Sequence, residues 1–253
     1  MAAAPLALVT GGHRRLGARI AGRLADAGYA LAIHGSRDAV PDAELADTFE
    51  RSGTDWAGFI ADFTRDGDAE GLIPAITEHF GHPPDLLVNS ASLFGQDRLE
   101  TVTTDDLQAH FAVNARGPVL LTRAFAEAPR DEEDDLAIIN ILDQRLVHPH
   151  ADQLSYTLAK MTLAGFTRIA ARALAPRIRV NAVGPGLTLA TGDYDPEKIE
   201  RIASDMPLGR LPTADDVSDA VLYLAGARAV TGQTIVVAGG AQMRSFTRDF
   251  MHL

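Results

Sequence analysis

The sequence predicts an α/β protein built on one doubly wound parallel sheet with helices on both faces. Three observations carry that prediction. Short, continuous apolar runs alternate with longer helical stretches along the whole chain, and a strand buried on both faces is apolar throughout. Between the first such run and the first helix stands a glycine-containing turn, Thr10-Gly11-Gly12-His13-Arg14-Arg15-Leu16-Gly17. Of 253 residues, 46% are hydrophobic and 23% charged, a globular balance that excludes disorder for the bulk of the chain.

The elements follow in order. Leu6–Thr10 reads as a first buried strand. Arg15–Ala27 reads as a helix, with Leu16, Ile20 and Leu24 recurring every four residues and Gly28 as its stop. Ala30–His34 is the second strand, Phe59–Ala61 the heart of a weaker third, and Asp85–Asn89 the fourth. Leu136–Leu142 is the fifth, Arg177–Asn181 the sixth and Gln233–Ala238 the seventh. The longest helices are predicted over Asp105–Ala128 and Gln153–Ala175. With no repeat or linker, residues 1–253 are expected to form a single domain. Right-handed crossovers put the strand C-termini on one edge, where a ligand crevice forms.

Charge and composition exclude several classes. Lys and Arg number 23 against 34 Asp and Glu, a net charge of −11, so a phosphate-tracking nucleic-acid surface is not expected, nor an anionic membrane surface. No apolar run approaches the ~18–20 residues of a membrane-spanning helix, and Met1–Thr10 lacks the basic start of a signal peptide. Cysteine is absent, which removes thiol chemistry and fits a reducing cytoplasm. His148-Pro149-His150 offers two histidines without a third ligand, so no metal is expected.

The turn after the first strand suits a pyrophosphate, because glycine permits close backbone approach and a helix N-terminus presents free N–H groups. Arg15 stands where many such loops carry a middle glycine, facing cofactor phosphate, substrate or both. The second strand ends in His34-Gly35-Ser36-Arg37 with no acid before Asp38. A carboxylate there would bind a ribose 2′-hydroxyl, whereas Arg37 pairs with a 2′-phosphate. NADP(H) is therefore favoured over NAD. Asp62, after the third strand, is placed to accept from the adenine amino group.

Tyr156 and Lys160 lie at i and i+4 and share a helix face. A neighbouring ammonium is expected to lower the tyrosine pKa from about 10, making a proton donor for neutral pH.

These residues, with Asn89-Ser90-Ala91, Val113-Asn114-Ala115 and Asn181-Ala182-Val183-Gly184-Pro185-Gly186, resemble the short-chain dehydrogenase/reductase family over nearly the whole chain. The resemblance implies a Rossmann-type fold, proton donation by Tyr156, ribose binding and tuning by Lys160, and a relay water held by Asn114. It implies cofactor contacts from Gly11, Arg14, Arg15, Leu16 and Gly17, from Ser36, Arg37 and Asp62, and from Asn89, Ala91, Lys160 and Gly186. It also implies a homotetramer. Ala238 departs from the family's usual Asp. The larger departure is Asp143, which stands thirteen residues before Tyr156 where the family has a catalytic serine.

That substitution resembles the pteridine reductases and dihydromonapterin reductases. Their T-G-x-x-x-R-x-G, N-x-A-S-x-F and G-P-G-L segments correspond to Thr10–Gly17, Asn89–Phe94 and Gly184–Leu187. The likeness implies a pterin stacked on Phe94, with Arg15, Ser92, Asp143, Tyr156 and Leu187 around it. NADPH-dependent reduction of a pterin C=N bond is the expected activity, with Tyr156 and Asp143 as proton sources. A carbonyl or 3-oxoacyl reductase and a non-catalytic binding protein are the alternatives. Residues 188–206 are expected to form a substrate lid, with Asp193, Tyr194 and Asp195 in its polar stretch and Asp195-Pro196 also readable as a helix start. The tail 242–253 is open to two readings, a frayed end or a segment packed on a partner subunit.

Overall fold

In the computed structural model, which describes residues 4–130, 135–189 and 195–252, seven parallel strands form one sheet in the order β3-β2-β1-β4-β5-β6-β7. They are β1 (Leu6–Thr10), β2 (Ala30–Gly35), β3 (Trp56–Ile60), β4 (Leu86–Asn89), β5 (Leu136–Ile141), β6 (Ile178–Pro185) and β7 (Thr234–Val237). The helices are α1 (Arg15–Asp26), α2 (Ala43–Ser52), α3 (Asp68–Phe80), α4 (Thr104–Phe111), α5 (Gly117–Glu127), α6 (Leu154–Leu174), α7 (Pro196–Asp205) and α8 (Ala214–Gly226).

Every residue of β1, β2, β4, β5 and β6 is buried, as continuous apolar runs require. Alternate side chains feed two cores. Val9, Ile33, Val88 and Ile139 pack under α1, α2 and α8, with Ile20, Leu24, Phe49 and Val221. Leu8, Ala32, Leu87 and Ile138 pack under α3, α5 and α6, with Ile76, Phe125 and Ala170. Strand order reverses between β1 and β4, so the crevice opens beyond their C-terminal ends.

Three boundaries differ from expectation. β3 spans Trp56–Ile60 and alternates exposed with half-buried residues; it is an edge strand, so its apolar residues marked only its end. The helix expected over Asp105–Ala128 is interrupted by one π-helical turn, Ala112–Arg116. β6 runs on through Gly184-Pro185, because its pairing with β7 extends to Pro185↔Val237.

Polar ties hold α6 over the sheet. Asn89 Nδ2 donates to Asn140 Oδ1 (2.8 Å), Asn140 Nδ2 to Thr167 Oγ1 (2.9 Å), and Thr167 Oγ1 to Leu163 O (2.8 Å). All three side chains are buried, and mutual pairing is what makes such burial tolerable. The N-terminus of α6 is capped from afar: the buried Asp97 carboxylate accepts from Ser155 N (3.1 Å) and from the Ser155 hydroxyl, placing negative charge at the positive helix end.

The far end of the sheet is secured by Arg179 on β6, whose guanidinium donates to Leu224 O (2.8 Å), Ala225 O (2.6 Å) and Ala227 O (3.2 Å). It thereby satisfies carbonyls at the C-terminus of α8. Arg179→Met should lower the unfolding free energy by about 2 kcal/mol, read by urea denaturation, with turnover per folded molecule unchanged. An unchanged midpoint would show that those carbonyls find other donors.

Candidate active site

At the turn after β1, Gly11 has φ 64° and Arg15, unusually for a non-glycine, φ 54°. A Cβ on Gly17 would stand 2.0 Å from Gly11 O. That glycine is required because turn and helix touch. The turn is clamped from β2: Gly11 N donates to His34 Nδ1 (3.2 Å) and Gly12 N to His34 O (3.1 Å). His34 Nε2 in turn faces Ala61 O at 2.8 Å, which assigns the proton to Nε2. Burial pushes the His34 pKa down to about 4, so the imidazole stays neutral, and it stacks on Phe63 (4.6 Å). Thr10 Oγ1 accepts from Ser90 N (3.0 Å) and Ala91 N (2.9 Å), joining the loop after β4 to the same turn. Neither His34 nor Thr10 was singled out as an organiser from sequence.

Arg14 and Arg15 are exposed at the turn, as are Ser36 and Arg37 beyond β2. Register Thr10↔His34 puts both groups on one sheet edge. The Asp62 carboxylate accepts from Thr64 Oγ1 (2.7 Å) and Thr64 N (3.0 Å), and these bonds hold it below the usual carboxylate range. Ser92 is exposed, whereas Leu16, Ala91, Gly186 and Leu187 are half-buried. Asn89, assigned above to the cofactor, has its side chain committed to Asn140 inside the protein.

The chemistry-bearing side chains meet at the C-terminal end of β5. Tyr156 OH donates to Asp143 Oδ2 (2.9 Å). Asp143 Oδ1 accepts from Arg145 N (2.8 Å), and Arg145 Nε lies 3.3 Å from Asp143 Oδ2. Lys160 Nζ donates to Ile141 O (2.7 Å). The Phe94 ring, 48% exposed, sits edge-to-face on Tyr156 at 4.9 Å. The carboxyl and the aromatic ring therefore lie on the phenol, not turned away from it.

Asn114 arrives from the π-helical turn. Its Oδ1 accepts from Leu93 N and its Nδ2 donates to Leu93 O, both at 2.8 Å. This amide grips the backbone next to Phe94. The expected tyrosine pKa is also corrected. Burial, then the Asp143 charge, push Tyr156 well above its ordinary value, because a carboxylate, not the Lys160 ammonium, is its hydrogen-bond partner. Burial brings Lys160 down to about 8, against the pull of Asp143. Burial also works against the charge of Arg145, but Asp143, Tyr156 and Asp249 outweigh it and raise its pKa. Arg145 was not singled out from sequence, since an arginine a few residues past a strand reads as surface.

His150 is held among carboxylates, 4.0 Å from Asp152 and 3.8 Å from Asp249. Among the described residues no group of three or more His, Asp or Glu could hold a metal, and no helix is long and apolar enough to cross a membrane. Of the segment 188–206, residues 190–194 lie outside the described residues, with Asp193 and Tyr194 among them. Asp195 caps α7, accepting from Lys198 N (2.7 Å), so the helix-start reading holds.

The lysine carries a stability cost with a definite pH dependence. A folded pKa of about 8 against about 10.4 unfolded means that the unfolded chain binds more protons between those values. Stability from this group therefore rises with pH across that window and is lowest below it. Lys160→Met, measured by denaturant titration from pH 6 to 10, should gain about 1–2 kcal/mol at pH 7 after losing its bond to Ile141 O. The gain should shrink above pH 8; a pH-independent difference would contradict a charged buried lysine.

A family model described as "Enoyl-(Acyl carrier protein) reductase" matches residues 12–242. Pteridine reductase 1 of Leishmania tarentolae is 32% identical, over 94% of this chain and 96% of its own. The 3-oxoacyl-(acyl-carrier-protein) reductase FabG of Pseudomonas aeruginosa is also 32% identical, over 94% and 97%. Among solved structures, FolM Alternative dihydrofolate reductase 1 from Brucella suis in complex with NADP superposes with a TM-score of 0.83 at 37% identity, covering 95% of this chain and 96% of that one. The Brucella canis counterpart, also complexed with NADP, gives 0.84 at 38%, covering 95% of each. These proteins are named for different substrates, yet each matches over 94% or more of both chains, and on that ground, with the family model, the chain belongs to the short-chain dehydrogenase/reductase family.

Proposed function

We propose that the chain is an NADPH-dependent reductase of a pterin C=N bond, of the dihydropterin-to-tetrahydropterin type. One observation carries the reading: a carboxylate, not a hydroxyl, accepts the proton of the reactive phenol, with an aromatic ring beside it. A flat heterocycle rich in ring nitrogens suits an aromatic face with a few polar groups. The pteridine reductase and FolM likenesses support it.

The residues present fit a dinucleotide. The Gly11 and Gly17 turn is packed too tightly for side chains, α1 begins at Arg15, and Ser36 and Arg37 replace the acid that would repel a 2′-phosphate. Gly11, Arg14, Arg15, Leu16 and Gly17 would hold the pyrophosphate, Asp62 the adenine, and Ala91, Lys160 and Gly186 the nicotinamide half. When bound, NADPH supplies the hydride. An ammonium has three donors and Ile141 O takes one; a ribose hydroxyl would take another. Phe94 would cover the pterin, with Arg15, Ser92 and Leu187 at its rim. The C=N bond gains hydride at carbon and a proton at nitrogen. That proton comes from the Tyr156–Asp143 pair, which holds it on the phenol. Asp143 is a second proton source when it is itself protonated.

The FabG likeness favours a second reading, reduction of a 3-oxoacyl thioester. NADPH oxidation with dihydrobiopterin, dihydromonapterin and a 3-oxoacyl thioester separates the two, and turnover of the thioester alone would sink the pterin assignment. Exposed apolar residues Phe111 on α4 and Leu158, Met161 and Ile169 on α6 support a homotetramer, checked by light scattering.

Asp143→Asn and Asp143→Ser should each lower dihydropterin turnover about 100-fold, measured at saturating NADPH; wild-type rates in both would remove Asp143 from the chemistry. Arg37→Ala should weaken NADPH binding roughly tenfold or more while leaving NADH unaffected, since a charge-assisted pair is worth about 1.5–3 kcal/mol. Equal losses for both cofactors would contradict the 2′-phosphate role.

A further inference from the structure

Through His252, the C-terminal tail packs against its own chain. Phe250 is buried with Ile202 of α7 and Met206 just beyond it and packs on Phe246, and Lys198 of α7 donates to Met251 O. The residue before Phe250 reaches furthest inward. Asp249, 5% exposed, has Oδ2 3.0 Å from Arg145 Nη2. It is itself fixed twice: its N–H donates to Asp152 Oδ2 (2.9 Å), and its Oδ1 accepts from Met251 N (2.9 Å). Asp152 is anchored by Arg248 Nε (2.8 Å) and Arg98 Nε (2.9 Å), which help hold its pKa at about 2 against its burial.

Arg145 is the hub. It is 7% exposed; Nη1 donates to Gln153 Oε1 (2.7 Å) and Nη2 to Asp249, while Nε is ion-paired with Asp143 at 3.3 Å without a hydrogen bond. Its guanidinium carbon lies 5.2 Å from the Tyr156 ring centre and 5.6 Å from that of Phe94. One buried cation thus touches the phenol, the carboxylate and the aromatic ring of the site. A guanidinium in such a place keeps its pose only while the acceptors and anions around it stay fixed.

We propose that Asp249 is a positioning residue for proton transfer, which holds Arg145 against Asp143 so that the C-terminal tail completes the active site. The need is electrostatic. Proton donation leaves a phenolate facing the Asp143 carboxylate, and two anions at hydrogen-bond distance require a fixed cation between them and the interior. Arg145 is that cation; Lys160, the other positive group on the pair, is bound to Ile141 O. Asp249 faces Arg145 from the tail, with His150 behind it at 3.8 Å. The burial of His150 and the Arg145 charge lower its pKa. Without Asp249, the Nη2 edge is left buried and unmatched, and Arg145 turns from Asp143.

The proposal rests on Tyr156 and Asp143 as the proton pair and not on which substrate is reduced. The assay therefore uses whichever of dihydropterin and 3-oxoacyl thioester the wild-type enzyme turns over. In full-length Asp249→Ala, kcat should fall about tenfold or more and KM for NADPH stay within about twofold. The pH dependence of kcat should also change, because the cation facing the reacting pair is no longer held in place. Asp249→Asn, whose amide oxygen still accepts from Arg145, should recover most of the lost kcat. Wild-type kcat and pH profile in Asp249→Ala, or a loss matching only the unfolded fraction seen by circular dichroism, would overturn it. Asp143→Asn is run alongside. Wild-type turnover there removes the proton pair itself, whereas a crippled Asp143→Asn beside a normal Asp249→Ala removes the tail alone.

Discussion

The site depends on a single hydrogen bond, from the Tyr156 hydroxyl to the Asp143 carboxylate. Both groups are acids, and a phenol buried beside a half-buried carboxylate resists losing its proton because a second negative charge would face the first. That is why Tyr156 is pushed well above its ordinary pKa, the reverse of what Lys160 alone would do. The resistance is offset by the Arg145 cation beside the oxygen that accepts from Tyr156 and by the Lys160 ammonium one turn along α6. Charge balance, more than proximity, is what the surrounding structure maintains.

Much of the fold serves to hold that bond in place. Tyr156 and Lys160 ride on α6, so α6 must not slide. The Asn89–Asn140–Thr167 chain ties it to β4 and β5, and Asp97 pins its first turn. Asp97 belongs to the same loop as Phe94, and Asn114 grips that loop at Leu93. The π-helical turn gives Asn114 its reach: one extra residue in a helix turns a side chain out of register with the face it would otherwise follow. Phe94, Tyr156 and Asp143 are therefore positioned together by bonds made outside the phenol–carboxylate pair.

The dinucleotide half uses a different device. Two glycines let backbone approach backbone, and a neutral histidine supplies one acceptor and one donor to join turn, β2 and the end of β3. A charged His34 would lose its acceptor for Gly11 N, so its low pKa is part of the turn's rigidity. Arg14, Arg15 and Arg37 remain outside this clamp and exposed, where an anion can reach them.

The sequence by itself determined the layered parallel sheet, the phosphate-type turn, the Tyr156–Lys160 pair and the oddity of Asp143. Each is local: an apolar run, a glycine spacing, a helical i,i+4 offset, one residue type out of place. It placed β3 late and ran one helix through Ala112–Arg116, because edge exposure and a π-turn leave no period of their own. The tertiary structure alone decided which charges meet. Arg145 and Asp152 share the connection between β5 and α6, but Asp249 lies 104 residues beyond the arginine it binds. A long-range ion pair leaves no periodic trace in sequence, since its partners are chosen by the folded chain's geometry and by the cost of burying either charge unmatched.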